Sequence, residues 1–227
     1  MNWLKAFVTS SVGRKYLMAA TGLFLCLFLV IHLAGNMLLY VGDEAYNDYA
    51  HKLHDNPEFL ILAEVLLYAA FIVHIVVAIG LQVWNRSGRD RRYAYVQSKR
   101  EDRVLQGSLP TPDRTMFLTG FIGLMFIIVH VSDFKFEFRW ETIAELDPYE
   151  KARLIVADFG RGLIYLVGSL VLAIHVTHGL QSSLQSLGWN HPKYMPTIRK
   201  ISWIFGLVVA VGFGSFPVMA WLQGWGG

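Results

Sequence analysis

The sequence predicts an all-α integral membrane protein, a single bundle of five transmembrane helices over residues 1–227. Three observations carry this. Hydrophobic residues make up 54% of the 227 positions and the mean hydropathy is +0.41. Charged residues make up 16%, against roughly 25% in an ordinary soluble domain. The apolar residues are gathered into five stretches, each near the ~20 residues a helix needs to cross the hydrocarbon core.

The spans are taken in order. The first runs over residues 16–41, after Arg14 and Lys15. It is too long for a signal peptide, lacks a small-x-small cleavage site before a polar mature region and carries His32 deep inside, so it is expected to be retained. The second covers 59–84, the third 115–134, the fourth 160–187 and the fifth 201–221. As helices they leave no backbone group unpaired in lipid. Of the 20 Lys and Arg residues, 14 fall on the amino-terminal side, among them Lys5, Arg14, Lys15, Lys193, Arg199 and Lys200. Lys52, Lys135, Arg139, Lys151, Arg153 and Arg161 fall opposite, diluted by acidic residues. The positive-inside rule therefore predicts the amino terminus inside and the carboxyl terminus outside. The basic loop 85–114 reads as retained positive charge, and also suits anionic lipid or a docking partner. Nothing points to nucleic acid.

Eight histidines occur, and five of them (His32, His74, His130, His175 and His178) fall inside spans, where ionisable groups are rare and usually functional. His51, His54 and His191 fall in segments read as loops. His32 lies 17 residues after Lys15, and His130 lies 16 after Arg114. Both spans enter from inside, so both histidines sit roughly 25 Å in, near the outer face. His74 lies 16 residues after Glu58, and His175 lies 17 after Asp158. Those spans enter from outside, so these two sit near the inner face. The result is two depth-matched pairs, and opposed imidazoles at one depth are what a six-coordinate b haem needs. The alternative for any single histidine is a hydrogen bond to a neighbouring helix. The lone cysteine, Cys26, supports neither an internal disulfide nor a thiolate cluster, and no Cys-x-x-Cys-His motif is present. Any haem would be held without thioether bonds.

The odd spans share a pattern. Thr21-Gly22 precedes His32 as Thr119-Gly120 precedes His130, giving Thr-Gly-x9-His twice. Glycines 22, 35, 80, 120, 123, 168 and 179 lie along the histidine-bearing spans, where a porphyrin or a close helix needs small residues. His178, three residues after His175, is an alternative ligand or a propionate or quinone contact; the depth match favours His175.

From Ser10-Ser11-Val-Gly-Arg-Lys through Thr21-Gly22-Leu-Phe-Leu to His32-Leu-Ala-Gly-Asn36, the first span resembles the cytochrome b subunit of succinate dehydrogenase/fumarate reductase, in its single-chain, five-helix, two-haem branch. Tyr46-Asn-Asp-Tyr-Ala50, His74, Thr119-Gly120 to His130, and His175-Val-Thr-His-Gly179 through Leu187-Gly188 extend the likeness over nearly the whole chain. The resemblance implies a flavoprotein subunit that interconverts succinate and fumarate. It also implies an iron–sulfur subunit at the cytoplasmic face, and an anchor passing electrons through two haems b to or from a quinone, usually menaquinone. On this likeness His74 and His175 bind the haem nearer the iron–sulfur subunit, and His32 and His130 the distal haem. The membrane would be a bacterial or archaeal-type cytoplasmic membrane. Dicarboxylate chemistry would lie in other subunits.

Propionates call for cationic or hydroxyl partners. Ser11, Arg14 and Lys15 are the inner candidates, and Lys135 and Arg161 the outer ones, with interfacial snorkelling as the alternative for each. A quinone needs a titratable group nearby. His51, His54 and Asp55 in the outer segment, and Glu64 one turn into the second span, are candidates; solvated surface residues are the alternative. Tyr68 reads as an interfacial-belt residue. Two other functions suit the pattern: a bis-histidine cytochrome b of another respiratory dehydrogenase, such as a formate dehydrogenase or hydrogenase, and a haem-free transporter or proton channel.

Overall fold

Each apolar run begins where the chain can start a helix. In the computed structural model, which describes residues 3–87, 112–138, 143 and 145–225, a short helix α1 (Trp3–Thr9) leads into α2 (Ser11–Asn36). Ser10 caps α2, its Oγ accepting from the Gly13 N–H at 2.9 Å. A 3₁₀ turn (Met37–Tyr40) and Gly42, at φ 138°, carry the chain into α3 (Asp43–His54). Then come α4 (Pro57–Ser87), α5 (Pro112–Phe134), α6 (Pro148–Ala157), α7 (Phe159–Ser186) and α8 (Met195–Gln223). Four prolines, Pro57, Pro112, Pro148 and Pro196, stand in the first turns of α4, α5, α6 and α8, where a missing N–H costs nothing. Asp158 caps α7 by accepting from the Arg161 N–H at 2.8 Å. Gly224, at φ 65°, ends α8 in the left-handed region, and the Trp225 N–H closes onto the Ala220 carbonyl at 3.0 Å.

The described residues are all-helical, without strands, and five helices (α2, α4, α5, α7 and α8) are long and apolar enough to cross a membrane. The chain is a multi-pass membrane protein. Hydropathy placed all five spans and trimmed most of their ends, but carried the first, 16–41, past the end of α2 at Asn36 and across the 3₁₀ turn. The last helix begins at Met195 instead of 201, because Pro196 starts it and the polar turn holding Arg199 and Lys200 continues it.

Between the spans, hydropathy passed over α3 and α6, which carry too few apolar residues to register as spans. The segment holding His51 and His54, expected to be a loop, is the last turn of α3. Asp43 and Glu44 open that helix and His51, Lys52 and His54 close it, a distribution that suits the helix dipole. Tyr149 N–H donates to Asn47 Oδ1 at 2.9 Å and the Tyr46 and Tyr149 rings meet at 6.2 Å, which docks α3 on α6. Burial, with Tyr49 alongside, pushes the Tyr46 phenol up to about 12, so it stays protonated.

Helix α7 is the hub, packing on α8, α5, α2 and α6. Helix α2 packs on α4 and α7, whereas α4 and α5 do not pack on each other along their length. The neighbour order α4–α2–α7–α5 makes α2 and α5 one diagonal of a four-helix group, and α4 and α7 the other. Helix α8 braces it from the α7 side, where Ala173, Val176 and Val209 form a buried cluster. Ile61, Leu62, Val65, Ile72 and Val76 of α4 are exposed, the surface expected of a helix facing lipid.

Candidate functional site

Four of the five span histidines meet two by two across those diagonals. His32 on α2 and His130 on α5 have ring centroids 5.7 Å apart, with planes at 80°. His74 on α4 and His175 on α7 have centroids 6.5 Å apart, with planes at 76°. These are the two pairs the depth argument predicts. It is His175 whose ring meets His74; His178 lies one turn further along α7.

The His74–His175 pair, expected on the inner side, is held by the Thr-Gly steps. Thr21 Oγ1 lies 3.1 Å from His74 Nδ1, and Thr119 Oγ1 lies 3.2 Å from His175 Nδ1. Each hydroxyl also sits on a carbonyl one turn back: Thr21 on Leu17 at 2.8 Å, and Thr119 on Thr115 at 2.9 Å. The neighbouring glycines allow the approach. A Cβ on Gly120 would stand 3.1 Å from His175 Cε1, and one on Gly22 would stand 3.2 Å from Ser183 Oγ and 3.5 Å from His74 Cε1. One Thr-Gly-x9-His helix therefore serves both levels: the threonine touches the inner histidine of the next span, and its own histidine joins the outer pair. Thr21 to His32, and Thr119 to His130, are each 11 residues, placing the two levels about 16 Å apart along the bundle.

The outer pair is walled by aromatic rings. Phe28 stacks on His32 at 5.1 Å, and Phe213 of α8 lies 5.8 Å from it. His130 is surrounded by Phe134 at 5.2 Å, Tyr165 at 5.9 Å and Phe126 at 6.1 Å. Asn36 donates to the His32 carbonyl at 2.8 Å, and its amide nitrogen is 3.5 Å from His32 Nδ1, the long limit of a hydrogen bond.

Sequence reading missed Asp133, three residues after His130. It is fully buried. Tyr165 Oη donates to Asp133 Oδ2 at 3.1 Å and the Arg161 guanidinium stands 3.4 Å from Oδ1. An acid inside an apolar run was the available signal, but a position one residue from the span's end made it read as a boundary. Arg161, an outer propionate candidate, thus has a protein carboxylate as partner, while its Nε is buried without one.

Other expected residues fall as follows. Arg14 lies over the Trp84 ring at 4.7 Å, joining the start of α2 to the end of α4; Ser11 and Lys15 are exposed. Lys135, just past α5, is ion-paired with Glu64 of α4. His54 Nδ1 donates to the Ala50 carbonyl at 2.8 Å, and His51 and Asp55 are exposed. Tyr68 is exposed on α4, eleven residues in from Pro57 and so well inside the span instead of at its end. The basic loop lies almost entirely outside the described residues, as does Arg139.

The donor set fits a porphyrin-bound iron. Two metal–imidazole bonds of about 2 Å each, plus the ring radii, put two axial imidazole centres about 6 Å apart. The observed 5.7 Å and 6.5 Å bracket that value. Two nitrogens per site is the protein's share when a macrocycle fills the other four positions. Gly123, buried on α5, would meet nothing within 4 Å if given a Cβ. No family model, curated protein or solved structure matches the chain.

Proposed function

We propose that this chain is the di-haem cytochrome b anchor of a succinate:quinone or fumarate:quinone oxidoreductase in a cytoplasmic membrane. The observation that carries the reading is the meeting of four membrane histidines as two opposed pairs, on separate diagonals and about 16 Å apart along the bundle. His74 and His175 would hold the inner haem b, and His32 and His130 the outer one. When bound, two haems would supply one-electron carriers at the two histidine levels. The chain's own residues fix the imidazoles, wall the outer pair with Phe28, Phe126, Phe134 and Phe213, and keep Asp133 neutralised by Arg161 beside it. The inner face would receive the iron–sulfur subunit, which in turn carries the flavoprotein. Glu64, with Lys135, and the α3 histidines His51 and His54 would lie near a quinone, in this branch a menaquinone, at the outer end. The resemblance in the Thr21–Asn36 and His175–Gly188 stretches supports this complex over other respiratory dehydrogenases.

Two measurements test it. A pyridine haemochrome assay on the purified chain should give two haems b per chain; one or none refutes the two-centre reading. Affinity purification from native membranes should bring down a flavoprotein and an iron–sulfur protein with succinate-reducible haem. Recovery of formate dehydrogenase or hydrogenase subunits instead would replace the complex while keeping the cytochrome.

A further inference from the structure

The two threonines at the inner level determine which nitrogen of each histidine carries the proton. Thr21 Oγ1 is 2.8 Å from the Leu17 carbonyl oxygen. Two oxygens at that distance repel unless a proton lies between them, and the carbonyl has none to give. The hydroxyl proton is therefore committed to Leu17, and what Oγ1 offers His74 is a lone pair. At 3.1 Å from His74 Nδ1, that lone pair must accept, so Nδ1 bears the hydrogen. The same reasoning holds for Thr119, committed to the Thr115 carbonyl at 2.9 Å and 3.2 Å from His175 Nδ1, with the Met116 carbonyl as a further backbone acceptor beside the His175 ring. In neutral imidazoles this leaves Nε2 unprotonated on both rings. Two facing rings that each present an acceptor have no proton to share, and the unprotonated nitrogen is the one a metal takes.

We infer that Thr21 and Thr119 are positioning residues that lock His74 and His175 as Nδ1–H tautomers and tune the reduction potential of the inner centre alone. The selectivity follows from the outer level, where Asn36 only reaches His32 Nδ1 at 3.5 Å and His130 is ringed by aromatic groups. A hydroxyl accepting from Nδ1–H makes the imidazole a stronger donor and favours the ferric state; removing the acceptor favours the ferrous state. The potential part of the inference rests on the two-haem reading. The tautomer part does not.

The test uses the full-length chain with Thr21→Val, Thr119→Val, and the corresponding Thr→Ser variants. Nitrogen-15 NMR of the haem-free chain should show His74 and His175 as Nδ1–H. Thr21→Val should alter the His74 signal and Thr119→Val the His175 signal, while serine preserves the native pattern. In haem-loaded protein, spectroelectrochemical titration should show each valine variant shifting the inner midpoint upward. A three- to tenfold change in the ferrous/ferric ratio is expected, about 30–60 mV for one electron, with the outer midpoint unmoved and serine restoring the value. Native Nε2–H signals, equal movement of both midpoints, or valine variants indistinguishable from the parent would each overturn the inference. A chain that binds no haem would overturn the functional proposal, while the nitrogen-15 signals would still decide the tautomers.

Discussion

A membrane histidine is informative through what stands opposite it. His32 and His130 share one level, His74 and His175 the other, and each pair joins helices that do not otherwise pack on one another. His74→Ala and His175→Ala should therefore abolish the same spectral and redox component, and His32→Ala and His130→Ala the other. Optical titration of the four variants checks this; different components lost from His74→Ala and His175→Ala would break the pairing. These residues were legible in the sequence because depth is counted in residues from a charged span entrance, and a straight helix converts that count directly to height. Asp133 was not legible in the same way. Its burial depends on Arg161 and Tyr165, both on α7, about thirty residues further along the chain, and no local pattern announces that contact. The arrangement is energetically consequential, because a buried carboxylate stripped of its cation costs about 3–5 kcal/mol.

Helix positions were legible and helix contacts only in part. Of the glycines singled out in the sequence, Gly22 and Gly120 do lie against imidazoles, Gly35 lies against Tyr49 and Gly168 against Phe126. Gly80, by contrast, faces open space. The Thr-Gly-x9-His match reads in sequence as three shared residues. In the fold it is a shared device, because α2 supports α4 and α5 supports α7 by the same contacts. The tightest crossing of α7 and α8 was invisible beforehand. It depends on Gly206, whose added Cβ would collide with Thr177 Oγ1 and stand 3.1 Å from the Ala173 carbonyl. Gly206→Leu should force these helices apart and cost about 1–3 kcal/mol, the range for overpacking. Gly80→Ala should be neutral or stabilising by up to about 1 kcal/mol, since it adds helix propensity without a clash. Thermal unfolding of the two variants in one detergent compares them directly; a Gly206→Leu chain as stable as the parent would mean the crossing is looser than the geometry implies.

At the scale of the whole molecule, the neighbour order among the described residues makes α4 and α5 the two ends of the four-helix row. Among the described residues α4 and α5 pack little on each other, and at the end nearer His32 and His130 Lys135 reaches across to Glu64. An apolar ring with a long tail would enter such a seam from lipid, not from water, and would arrive beside the outer histidine level. Glu64 stands 10 residues before His74, about 15 Å along α4, which places it close to the height of His32 and His130. A carboxylate there can exchange the proton that quinone chemistry requires, and the partly exposed lysine holds it in place. Glu64→Gln keeps the size and a hydrogen-bonding oxygen but removes the charge and the proton-accepting function. Quinone turnover should fall at least tenfold, while both haem midpoints and haem content stay as in the parent. Lys135→Met, which frees the carboxylate but leaves it ionisable, should retain most of the turnover. The pair of variants separates a proton role from a latch role. Equal loss in both would assign Glu64 to holding the seam closed. Full activity in Glu64→Gln, with a photoreactive quinone crosslinking only near His74 and His175, would move the quinone to the inner face and leave the outer level as the terminal electron store.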